Sequence, residues 1–240
     1  MKLVIGGSTG FVATEIISQA LKNPAITSIV ALGRREAVIA PDANSDTAQT
    51  KLKSVICNDF EVYPDSVKAE LENADACIWT IAITPMKLST VPWEETRKIS
   101  RDYAMAAIKT LHTLNQQHEK SLRFLYMSGH AAARSRPEVP PALQKHGLID
   151  YGLLRGETET LILEYAAQSH GAVQSCVVKP GLIDARGAEK REMPDFPRID
   201  LPDIAAALLE QVVSGFEKDT LSNDDLVRIG QRVLAGESDA

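Results

Sequence analysis

The chain opens with a strand that runs directly into a glycine-rich turn and a helix. Lys2-Leu-Val-Ile5 leads into Gly6-Gly7-Ser8-Thr9-Gly10, and Phe11-Val12-Ala13 begins an amphipathic run with Ile16, Ile17, Ala20 and Leu21. No other feature constrains the fold as strongly, because this strand–turn–helix is what a dinucleotide pyrophosphate rests on. Gly7 permits the tight turn, and Gly10 lets backbone N–H groups approach phosphate without a Cβ in the way. Ala13 stands where a third glycine often occurs and keeps the helix close to the strand. The helix N-terminus adds unpaired N–H groups and a partial positive charge. Gly7, Ser8, Thr9, Gly10, Phe11 and Val12 are therefore the first candidate cofactor contacts. No Gly-Lys-Ser/Thr follows, so the turn is not a P-loop.

Strands and helices alternate beyond this point. Apolar runs at 26–32, 52–57, 76–83, 123–128 and 174–179 read as strands two to six. Periodic segments at 64–72, 93–117, 151–169 and 201–216 read as helices. This alternation predicts an α/β fold, a doubly wound parallel sheet with helices on both faces. Ligands then lie at the carboxyl ends of the strands. The 240 residues suit one domain, with 182–240 contributing a substrate loop and a small C-terminal lobe. Two stretches lack a period and read as loops: 37–49, and 184–199 with Pro194, Pro197, Arg186, Lys190, Arg191 and Arg198. A long loop inside a compact domain is often a lid or a substrate-binding segment.

Charge and composition exclude several classes. A net charge of −6 argues against a nucleic-acid or anionic-membrane partner, and 5% aromatic content argues against base stacking. No run approaches the roughly 18 apolar residues of a membrane span, and the N-terminus has no signal-peptide pattern. Cys57, Cys77 and Cys176 sit in apolar runs and read as buried, reduced thiols of a cytoplasmic protein. They form no metal pattern. The cleft-forming segment 83–93 carries Ile83, Pro85, Met86, Val91, Pro92 and Trp93, an apolar wall suited to a hydrophobic or aromatic small molecule.

Strand two ends in Leu32-Gly-Arg34-Arg35. A carboxylate here would serve the ribose hydroxyls of NAD; a guanidinium instead matches a 2′-phosphate, so NADP(H) is the expected cofactor. Asp59, after strand three, is placed either to meet the adenine edge or to cap a turn. Phe60 accompanies it. Thr80, Ile81 and Ala82, at the end of strand four, and Pro180 with Gly181, after strand six, complete the expected cofactor contacts.

A second constellation follows: Ser128-Gly129-His130 after strand five, Tyr151-x-x-x-Arg155-Gly-Glu157 opening a helix, and Lys179-Pro180-Gly181. With Leu32-Gly-Arg-Arg35, Asp59-Phe-Glu61 and Arg101-Asp-Tyr103, these residues resemble the short-chain dehydrogenase/reductase superfamily over nearly all of 1–215. The closer likeness is to the atypical branch of Tat-interacting metastasis-suppressor-like proteins and their fungal relatives. The resemblance implies a hydride-transfer site with Tyr151 as general acid. It puts a cation four residues on, at Arg155, to assist the phenol and hold the nicotinamide ribose. It also puts a hydroxyl after strand five, at Ser128, to orient a carbonyl. Positions i and i+4 share a helix face, and a phenol that titrates near ~10 needs such a neighbour. The chain departs twice: Arg155 stands where the family has lysine, and Gly129 aligns with the usual hydroxyl. His130 and Thr80 are further donors nearby.

Three functions stay open at this point. One is an NADP(H)-dependent oxidoreductase of a small, mostly apolar carbonyl or alcohol. The second is an isomerase, dehydratase or cyclase using Tyr151 as acid/base. The third is an NADP(H)-sensing binding protein. A homodimer through the two long helices also stays open against a monomer.

Overall fold

The computed structural model describes residues 1–37, 50–185, 187, 193 and 196–238. The expected loop at 37–49 lies outside them from residue 38 on, as do Arg186, Lys190, Arg191 and Pro194. The strands of the main sheet are β1 (Lys2–Gly6), β2 (Ser28–Gly33), β3 (Leu52–Ile56), β4 (Ala76–Trp79), β5 (Leu122–Met127) and β6 (Val173–Val178). A late strand at Thr220–Leu221, β9, joins them, while β7 (Leu182–Asp184) and β8 (Arg198–Asp200) pair separately. The helices are α1 (Phe11–Lys22), α2 (Asp65–Leu71), α3 (Trp93–Arg97), α4 (Tyr103–Leu114), α5 (Pro141–Lys145), α6 (Ile149–Gln168), α7 (Leu201–Ser214) and α8 (Asn223–Ser238).

The sheet order is β3-β2-β1-β4-β5-β6-β9, and every pairing is parallel. Chain order reverses between β1 and β4, which makes that junction the switch point. Both faces are buried because successive residues point to opposite sides. On β1, Leu3 and Ile5 join the core under α1, α7 and α8. Val4 joins the core under α2, α4 and α6, with Trp79, Phe124, Tyr126 and Ile162. The result is a Rossmann-type α/β fold.

Several boundaries differ from the sequence reading. Strand four ends at Trp79, not at residue 83; the Thr80 N–H gives the last ladder bond, to Gly6 O at 3.0 Å. The helix expected over 93–117 is interrupted by a π-helical turn, Lys98–Asp102, and stops at Leu114. The segment 184–199, expected as a loop, begins and ends in the small β7–β8 sheet. In that sheet Arg198 holds Asp184 through a two-pronged ion pair, at 2.7 and 2.6 Å. Helix α7 ends at Ser214 because Gly215 adopts φ +109°, where the chain turns towards β9. The cysteines are buried and unbridged. No helix among the described residues is long and apolar enough to cross a membrane.

Candidate functional site

The glycine turn sits at the switch point. Gly7 adopts φ +88°, and a Cβ there would meet Thr80 Oγ1 at 2.6 Å and Ile81 Cγ1 at 3.1 Å. Only glycine serves in that conformation and that space. Gly10 is the N-cap residue of α1, its N–H donating to Gly7 O at 2.8 Å. Thr9, Gly10 and Phe11 are exposed, whereas Val12 and Ala13 are buried against the sheet. Ser8 is buried, and its hydroxyl has no hydrogen-bond partner among the described residues. It lies against Gly33 at the end of β2, where a Cβ would come within 2.7 Å of its oxygen. Arg34 and Arg35 follow at once and are exposed. An orphan hydroxyl, two exposed guanidiniums and a helix N-terminus together form a fitting cradle for a phosphorylated dinucleotide.

Asp59 uses its carboxylate to accept the Glu61 N–H at 2.9 Å, which is the turn-capping role. The Phe60 ring is buried among Tyr63, Trp79 and Tyr103, at 6.4, 5.7 and 5.5 Å between centroids. Burying an aromatic ring in an edge-on cluster outweighs display at the cleft.

Helix α6 carries two adjacent rows of residues. Gly152 and Gly156 form one, and the loop after β5 runs directly over them. A Cβ on Gly156 would fall 1.9 Å from Ala133 O, and one on Gly152 would fall 3.2 Å from Ala131 O. Tyr151, Arg155 and Glu159 form the other row, at i, i+4 and i+8. The Tyr151 hydroxyl donates to Ile83 O at 2.6 Å. Arg155 is buried; its Nη2 donates to Met127 O at 2.5 Å, and its guanidinium lies over the Tyr126 ring at 4.9 Å. Its Nη1 has no partner among the described residues. Burial pushes Tyr126 up to about 12 against the pull of Arg155, so that phenol stays neutral under the guanidinium.

Ser128 departs from its expected role. Its hydroxyl donates to Glu159 Oε1 at 2.6 Å, and Glu159 is fully buried. The other carboxylate oxygen takes Arg134 Nε at 3.0 Å and Lys179 Nζ at 3.4 Å, while Lys179 also donates to Ala132 O at 2.7 Å. A buried carboxylate is costly unless donors surround it, so it draws the Ser128 proton away from any substrate. Glu159 lies in phase with Tyr151 and Arg155 on α6, a spacing the sequence carries although the motif alone does not single it out. The His130 ring, on an exposed residue near Lys179, is held below its usual value by partial desolvation and then by that ammonium. Thr80 gives its hydroxyl proton to Gly6 O at 2.8 Å. Pro180 and Gly181 lie at the end of β6, with the Gly181 N–H held by Asn223 Oδ1 at 2.9 Å. Met86, 75% exposed, and Trp93, 43% exposed, stand on the segments that follow β4.

No protein-family model and no curated protein matches the sequence. Solved structures match in fold. Vestitone reductase from alfalfa is 18% identical, with TM-score 0.62 over 92% of this chain and 74% of that one. The oxidoreductase ylbE from Lactococcus lactis is 16% identical, with TM-score 0.62 over 98% and 97%. DesIV, a dTDP-glucose 4,6-dehydratase from Streptomyces venezuelae solved with NAD and TYD bound, is 12% identical, with TM-score 0.68 over 98% and 81%. What this chain has in common with them is the Rossmann-type fold.

Proposed function

We propose that this protein holds NADP(H) along the carboxyl edge of its sheet and acts as an oxidoreductase on a small, mostly apolar carbonyl or alcohol, in the manner of the short-chain dehydrogenase/reductases. The observation that carries the reading is the glycine turn at the switch point, with the unpartnered Ser8 hydroxyl beside Arg34 and Arg35. The solved neighbours support it: one is a reductase, and another was crystallised with NAD.

When bound, the dinucleotide supplies or accepts a hydride. The protein's own residues do the rest. Residues 7–12 seat the pyrophosphate through backbone N–H groups. Arg34 and Arg35, with Ser8, take the 2′-phosphate. Thr80, Ile81, Ala82, Pro180 and Gly181 border the nicotinamide half. Arg155 Nη1 offers its unpartnered donor to ribose oxygens, and Tyr151 gives its proton to the substrate oxygen. Met86 and Trp93 shield that step from water with apolar surface.

A second reading draws on two contacts. The Tyr151 proton rests on Ile83 O and the Ser128 proton rests on Glu159, so a protein that senses the dinucleotide, or works on this fold without redox change, has support as well. Nicotinamide absorbance separates them. The oxidoreductase reading expects carbonyl-dependent NADPH oxidation across a panel of aromatic and aliphatic aldehydes and ketones, lost at least a hundredfold in Tyr151→Phe. Binding without turnover over the whole panel sinks it and favours the second.

A further inference from the structure

The stretch after β4 is fixed at three points. Thr80 is tied to β1, its N–H and its hydroxyl donating to Gly6 O at 3.0 and 2.8 Å. The Ile83 N–H donates to Ser100 Oγ at 3.1 Å. The Ile83 carbonyl accepts the Tyr151 hydroxyl at 2.6 Å. Ser100 is fully buried in the π-helical turn Lys98–Asp102, and its own carbonyl accepts the Tyr126 hydroxyl at 3.3 Å. A π turn carries one extra residue and shifts the side chains around it out of α-helical register, and such turns recur at functional sites. This one delivers Ser100 to Ile83. The same stretch borders the glycine turn, since Thr80 and Ile81 crowd the space beside Gly7. Residues 80–83 thus lead from the glycine turn to the carbonyl that holds the Tyr151 hydroxyl.

We propose that the Tyr151–Ile83 hydrogen bond is a latch over the nicotinamide half of the cleft, with Ser100 as the positioning residue that presents the Ile83 carbonyl. The inference rests on the dinucleotide reading above. The phenol bonded to Ile83 and a ligand in the nicotinamide half exclude one another, so such a ligand breaks that bond and takes the phenol over. The adenosine half, at the glycine turn and Arg34–Arg35, is not crossed. A net hydrogen bond of ordinary strength opposes entry by roughly two- to tenfold in affinity.

Two probes separate the halves. NADPH fills both, whereas adenosine 2′,5′-bisphosphate ends before the latch. Calorimetric Kd values are measured for the wild type, Ser100→Ala, Tyr151→Phe and the double variant. Ser100→Ala is expected to bind NADPH roughly two- to tenfold tighter and the bisphosphate unchanged. In the Tyr151→Phe background, Ser100→Ala is expected to add nothing, because the latch is already gone. Weaker NADPH binding, an equal shift for both probes, or an undiminished Ser100→Ala effect without Tyr151 overturns the latch. If the wild type binds neither probe, the dinucleotide reading falls and takes the latch with it. If the wild type binds both while the Ser100→Ala ratio stays flat, only the latch falls. Should Ser100→Ala fail to fold, Ser100→Cys keeps the shape with a poorer acceptor, and the same outcomes decide.

Discussion

Lys51 is one residue whose environment dictates its role. Its buried ammonium donates to Ala20 O, Leu21 O and Asn23 O at 2.6, 3.0 and 2.7 Å. These carbonyls close the C-terminal end of α1, where the backbone has no intrahelical donors left and the helix dipole favours a cation. Burial holds the ammonium below its usual pKa, yet all three N–H directions are used. Lys51→Met is expected to cost about 2–3 kcal/mol in urea unfolding, since hydrogen bonds to a charged group are lost and carbonyls are left bare. Lys51→Arg does not restore it, because a planar fork cannot meet three converging carbonyls. Nothing local in the sequence marks this contact; its partners lie about thirty residues away. Ser128 and Phe60 follow the same rule: their sequence neighbours point to the cleft, but their side chains meet Glu159 and Trp79, partners that no local pattern encodes.

At the level of elements, α6 shows how much a motif can carry. Tyr151-Gly-x-x-Arg155-Gly reads at once as a helix start, and its two glycines turn out to be the seat of the loop after β5. Gly156→Ala forces a methyl into Ala133 O and is expected to destabilise by about 2–3 kcal/mol, measured by thermal or urea unfolding. The C-terminal elements were harder to read, because a strand of two residues has no period. Helix α8, which the periodic reading left out, starts at Ser222-x-x-Asp225. The Ser222 N–H donates to Asp225 Oδ2 at 2.8 Å, and the Asp225 N–H returns to Ser222 Oγ at 3.2 Å, a reciprocal capping box. Ser222→Ala is expected to cost about 1 kcal/mol. Burial alone would raise Asp225, but Lys218 and Ser222 overcome it and hold the carboxyl at about 2. A folded pKa below the unfolded value stabilises at higher pH. This contribution is therefore complete above about pH 4 and is lost as pH falls through about 2. Asp225→Asn should flatten that part of the acid-unfolding curve; an unchanged curve would remove Asp225 from the account.

The whole molecule is a sheet buried on both faces, and for that reason its fold class was legible. Apolar runs of strand length, alternating with amphipathic helices, admit few topologies, and the glycine turn placed the first of them. The turn was legible where a single residue type had to stand, as at Gly7. The contacts that close the cleft, Tyr151 to Ile83 and Ile83 to Ser100, span 68 and 17 residues, and no local pattern encodes them. The central claim is that the turn holds a phosphorylated dinucleotide. Gly10 tests it with little change to the fold: it occupies the N-cap of α1 at φ −77°, aspartate is a favoured N-cap residue, and an added Cβ needs only a small shift from Gly7 O at 3.1 Å. Gly10→Asp should therefore unfold close to the wild type while placing a carboxylate against the pyrophosphate. The decisive measurement is calorimetric titration of both proteins with NADPH and NADH. The account predicts wild-type binding at least tenfold tighter for NADPH than for NADH, and no binding by a fully folded Gly10→Asp. Equal NADPH affinity for the two proteins, or no heat from the wild type with either dinucleotide, would contradict it.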